Sequence, residues 1–252
     1  MIPACCLREV RRQLGEAFDQ RYASAAEPQC RMVGVLFAPS GSSLTKTEIL
    51  PRMDDFHHRS ASNIDFFCAG YGAFWPQGFA QDEESVGKTT DSNGHQTHWK
   101  YSSKLFNDLL NDVKHEAVNW NYSGEVDLLL LNAYRGPDRK VHLDFSGCVA
   151  LAISRLKNDG AITSAPELFE QIFSYAESAS GLPLTYEFSD RMGLSVSRSW
   201  LTKLVTSYLP LKSGTLWQEG RHFAITDLTE PGQIKPRRQE KIATAKDSPE
   251  HY

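Results

Sequence analysis

A mixed β-sheet with flanking helices, an α/β or α+β fold, follows from three features of the chain. Residues 32–71 read strand, loop, helix, strand, the order of a crossover joining parallel strands. Residues 125–145 read as two strands around a short turn, an antiparallel hairpin. Residues 7–22 and 102–119 repeat apolar side chains every three or four positions, which gives each helix one face to lay on a sheet.

The elements follow in order. Leu7, Val10, Leu14, Phe18 and Tyr22 share one side of the first helix, with Arg8, Arg11, Arg12 and Glu16 on the others. After a polar link at residues 27–29, Met32 to Ala38 is a nearly continuous apolar run, as a buried strand requires. Residues 39–43 (Pro-Ser-Gly-Ser-Ser) break it. Thr45 with Glu48 three positions on has the spacing of a capping box opening a helix to about Phe56, which Pro51 must kink. Residues 63–71 form the next strand.

Residues 76–98 combine Gly, Ser, Thr and Asn with the acids Asp82, Glu83 and Glu84, and show little periodicity. A long loop is expected there, of the kind that binds or covers a ligand. The helix at 102–119 turns Leu105, Phe106, Leu109, Leu110, Val113 and Ala117 inward. Glu125 to Asn132 is the strongest strand, and a turn at residues 135–138 returns the chain along 140–145. Helices are expected at about 147–158, ended by Gly160, and at about 165–178, where Ser164 and Glu167 hold capping-box spacing. A strand at 184–188, a helix at 197–208 and a strand at 222–226 complete the pattern. The division is a core at 1–180, a small C-terminal lobe at 181–229, and a polar tail at 230–252 without fixed structure.

Composition narrows the function. The 252 residues carry 27 basic and 31 acidic side chains, a net charge of −4, which excludes a strongly basic nucleic-acid wrapper. Thirteen Phe, nine Tyr and five Trp supply a real core. No apolar run is long enough to span a membrane, and the N-terminus lacks a signal-peptide pattern. The five cysteines, Cys5, Cys6, Cys30, Cys68 and Cys148, are odd in number and include an adjacent pair. That is not a secreted disulfide framework, and a cytoplasmic location is expected.

Four places could carry function. The first is a carboxylate set: Glu116 on a helix, Asp127 on the first hairpin strand and Asp144 on the second. Carboxylates on apolar strands are costly unless they bind something. This layout resembles the restriction-endonuclease-like nuclease superfamily over about residues 102–146. The resemblance implies a magnesium ion held by Asp127 and Asp144, with Glu116 joining them in phosphodiester cleavage. The second strand reads His142-Leu-Asp-Phe-Ser146 and lacks the family's lysine at alternate spacing. The structural alternative is that Glu125 and Asp127 cap the hairpin or pair with Arg135, Arg139 or Lys140.

The second place is Asp54, Asp55, His57, His58 and Arg59 at a helix end, where acid, base and anion-binding groups cluster. Helix ends also favour His and Arg for their exposed carbonyls. The third is Ser40, Gly41, Ser42 and Ser43, at the carboxyl end of a strand, where small residues let backbone amides meet an anion. The pattern is neither a Walker loop nor a dinucleotide fingerprint, and a plain turn is its rival. Asp91, His95 and His98 have metal-permitting spacing in a loop with nothing around to hold them.

No complete catalytic motif is present. The reading is therefore a cytoplasmic protein- or ligand-binding component of a multi-protein system, without self-sufficient chemistry and with a protein partner. The alternatives are a magnesium-dependent nuclease or phosphodiesterase, and a binder of a nucleotide or phosphate ligand through residues 39–43.

Overall fold

The computed structural model describes residues 2–22, 30–60, 64–76, 78–90, 94–118, 120–136, 138–179 and 225–227. Its centre is a six-stranded mixed sheet in the spatial order β1 (Ile2–Ala4), β3 (Ile64–Ala69), β2 (Cys30–Phe37), β7 (Asp127–Arg135), β8 (Val141–Ala152), β9 (Ile225–Asp227). β1, β2 and β3 run parallel, and the pairs from β2 to β9 are antiparallel. A second sheet orders β4 (Tyr71–Gly72), β6 (Gln96–Tyr101) and β5 (Glu84–Thr90).

β2 is apolar along nearly its whole length because helices cover both faces of the sheet there. On one face, Phe66 of β3 packs against Phe169 and Phe173 of α5 (Ala165–Ala179), with centroids 5.5 and 5.2 Å apart. On the other, Phe37 meets Phe106 of α3 (Ser103–Glu116) edge-on at 5.8 Å. α1 (Leu7–Tyr22) lies on the α3 side and buries Leu7, Val10, Leu14 and Phe18, the stripe its sequence predicts. α4 (Ile153–Asn158) ends at Gly160, whose φ of 68° turns the chain as expected.

The segment after β2 is helical from Ser43 to Arg59 but not uniformly so. A π turn (Thr45–Ile49) and a 3-10 turn (Leu50–Arg52) precede α2 (Met53–Arg59). Pro51 has no N–H to donate, and the ladder adjusts around it: Leu50 N–H donates to Thr45 O, five residues back. The expected kink is thus a local rewinding.

Several expectations are corrected. Residues 76–98 do not form one long loop; β5 and β6 run through them, with buried Trp99 donating to Thr89 Oγ1 at 2.8 Å. β8 continues to Ala152, so only the second half of the helix expected at 147–158 is helical. Thr45 and Glu48 do not form a capping box. Thr45 is buried inside the helix, and Glu48 reaches away to cap α5 by accepting from Ala165 N at 2.8 Å. The capping serine of α5 is Ser164, which accepts from Glu167 N at 3.2 Å as the sequence predicts. Of the strand expected at 222–226, Ile225 and Thr226 belong to β9, which pairs with Val149–Leu151, and 222–224 lie outside the described residues. The expectations for 184–188, 197–208 and 230–252 lie outside the described residues.

Candidate functional site

β1, β2 and β3 all end on one edge of the central sheet. Their following helices leave on opposite faces, α1 towards α3 and the rewound segment towards α5. This is where open α/β sheets form binding crevices. The loop after β2 turns here: Ser42 N donates to Pro39 O at 3.0 Å, and Lys46 N to Ser42 O at 3.1 Å starts the helix. Buried Tyr71 fixes the loop from below by donating to Ala38 O at 2.7 Å.

The second sheet folds over this loop. Ser40 Oγ donates to Glu84 Oε1 at 2.8 Å, and Ser42 Oγ to Glu125 Oε2 at 3.3 Å. Between loop and sheet lies a cleft of about 380 Å³. Its polar groups come from Ser40, Gly41, Lys46, Glu84 and Ser85, and Leu50 and Val86 give it an apolar wall. Its size is at the lower end of small-molecule pockets. Behind it, burial pushes the Tyr71 and Tyr101 hydroxyls well above the usual phenol range, so both stay neutral.

No family model, curated protein or solved structure matches the chain.

Ser40 and Gly41 line the cleft. Ser42 turns to Glu125, and the Ser43 carbonyl accepts from Thr47 Oγ1 at 3.0 Å. The opposite wall, Glu84 to Val86, carries no signal in the sequence beyond the acidic run at 82–84, of which only Glu84 lies on β5.

Glu116, Asp127 and Asp144 are not brought together. Asp127 opens β7 opposite Ala152, whereas Asp144 stands opposite Asn132, five residues further along. That is about 17 Å of strand. Glu116 is ion-paired with Arg11 at 2.6 Å on the α1–α3 side. Asp127 is held by its own loop, accepting from Ser123 Oγ at 2.5 Å and Ser123 N at 2.9 Å. Burial raises its carboxyl above the ordinary value, while the bonds from Ser123 and Trp120 pull the other way. Neither Arg135, which pairs with Asp19 at 2.6 Å, nor Lys140 is its partner. Among the described residues, no group of three His, Cys, Asp or Glu could hold a metal ion.

His57, His58 and Arg59 stand at the end of α2, away from the cleft-forming edge. Arg59 pairs with Glu170 at 3.3 Å and Glu177 at 2.7 Å and lies over the Phe173 ring. Its work is to join α2 to α5. Among the described residues, no helix is long and apolar enough to cross a membrane.

Proposed function

We propose that this chain is a binding component without chemistry of its own, and that it takes a small phosphate-bearing ligand in the cleft beside residues 40–46. The observation that carries this reading is the coincidence of cleft and topology: the candidate loop at the carboxyl end of the parallel strand β2 also lines a ligand-sized crevice. Lys46 supplies a cation, Ser40 and Ser85 supply hydroxyls, and Leu50 with Val86 offers an apolar surface for the rest of the ligand. Magnesium-dependent cleavage through Glu116, Asp127 and Asp144 loses its support, because Asp127 and Asp144 stand apart along the hairpin and Glu116 is paired with Arg11.

The reading is tested by calorimetry with inorganic phosphate, sugar phosphates and nucleotides on wild type and Lys46→Glu. Binding to wild type that weakens at least tenfold in Lys46→Glu supports it. Equal binding by both proteins removes the cleft from consideration.

A protein partner, the other half of the reading, is favoured by a different observation. Phe74 is 87% exposed and Phe79 is 50% exposed on the segment that joins β4 to β5 within the second sheet. Trp75 stacks on Phe79 with centroids 5.3 Å apart and sits so close over Gly72 that a Cβ there would lie 2.1 Å from its ring. Aromatic side chains held outward on a fixed base are what protein interfaces use as anchors. Replacing Phe74 and Phe79 by Ser should leave the melting temperature unchanged and abolish crosslinks from this segment to a co-purified partner.

A further inference from the structure

Adjacent residues in an extended strand point to opposite sides, so neighbouring cysteines do not ordinarily face each other. Cys5 and Cys6 do, because they occupy the bend between β1 and α1. The Cys5 thiol donates to the Cys6 sulfur across 4.0 Å. Both ends of the bend are anchored: Gly70 N donates to Ala4 O at 3.0 Å, and Leu7 N to Asp112 Oδ2 at 3.0 Å. Both thiols are partly exposed, whereas Cys68 and Cys148 are buried, and all five cysteines are free.

We propose that Cys5 and Cys6 form a reversible dithiol modification site that low-molecular-weight disulfides convert to an internal disulfide. Burial and the neighbouring Cys6 push the Cys5 thiol up to about 11, so Cys5 keeps its proton at the first step. The Cys6 thiolate displaces one thiolate from the small disulfide, leaving a mixed disulfide on Cys6. The departing thiolate takes the Cys5 proton. Cys5 then attacks the Cys6 sulfur, expels the second small thiolate and closes the Cys5–Cys6 bond. Two protein thiols are oxidised and one small disulfide is reduced to two thiols. Adjacent Cα atoms are closer than most disulfides allow, so the product is strained and readily reduced, which suits a labile modification and not a structural link.

The test treats the full chain with oxidised glutathione and reads peptides by mass without reductant. The expected product is a peptide containing residues 5 and 6 that has lost two hydrogens and regains them with a dithiol reductant. Cys5→Ser should instead accumulate a stable glutathione adduct on Cys6. Wild type that ends as a glutathione adduct, or as a disulfide between chains, or unmodified while Cys5→Ser is also unmodified, overturns the proposal.

Discussion

Ser40 Oγ donates to Glu84 Oε1 at 2.8 Å and so joins the loop after β2 to the first long strand of the second sheet. Both residues line the cleft, so a carboxylate of the protein stands beside the position offered to an anion. Glu84 therefore competes with the ligand for Ser40. Glu84→Gln should tighten phosphate binding severalfold by removing like-charge repulsion, with stability changed by no more than about 0.5 kcal/mol at this exposed site. Titration calorimetry against inorganic phosphate reads the first effect, and urea denaturation the second. Weaker binding in Glu84→Gln would mean that Glu84 holds the ligand.

Arg31 and Asp65 form an ion pair inside the central sheet, with Nε to Oδ2 at 2.6 Å and side chains 3% and 2% exposed. A buried pair contributes little net stability while intact, but breaking it strands a charge. Asp65→Asn should cost about 3–5 kcal/mol in urea denaturation. A loss below about 1 kcal/mol would show that Arg31 is well satisfied without Asp65.

Gly70 separates β3 from β4 with φ at 74°, and a Cβ there would lie 2.7 Å from both Ser102 O and Phe106 Cβ. Its carbonyl accepts from Ser102 N at 2.9 Å, where α3 begins. Gly70→Ala must strain the backbone and push α3 off the sheet, and a loss of more than about 2 kcal/mol is expected. Gly41→Ala provides the control, since nothing lies within 4 Å of its Cβ position.

Asp82 accepts from Ser102 Oγ, Ser103 Oγ and Lys104 N at the start of α3. These bonds, that of Ser102 first, lower its carboxyl from 3.8 to about 2. A lowered acid gives stability that is present above its unfolded value and lost as pH falls through its folded one. Wild type should therefore melt above Asp82→Ala at neutral pH, and the gap should close between pH 3.8 and about 2. A gap independent of pH would assign the effect to packing.

The legible parts of the fold are those where one physical demand dominated the sequence. α1 and α3 each lay one apolar stripe on the sheet, and β2 and β7 are buried on both faces, so period and run length gave them away. β5 leaves no signal because it is a mostly exposed strand with Thr89 its one buried residue among polar neighbours. The second half of β8, Cys148 to Ala152, is a fully apolar run that periodicity cannot tell from a buried helix. Glu48 has capping-box spacing but serves α5, a choice made by tertiary contact with Ala165. The same division holds at the site. Ser40 and Gly41 were legible from turn chemistry, whereas Lys46 and Glu84 join them only through sheet topology.

The most direct measurement is ligand-induced thermal stabilisation of wild type and Gly41→Asp. The aspartate meets no steric obstacle at position 41 and needs no unusual φ, so the variant should melt with wild type in the absence of ligand. It places a negative charge inside the cleft. Phosphate-bearing compounds at millimolar concentration should raise the melting temperature of wild type and leave that of Gly41→Asp unmoved. An equal rise in both proteins, or no rise in wild type with any such compound, would contradict the assignment of the cleft.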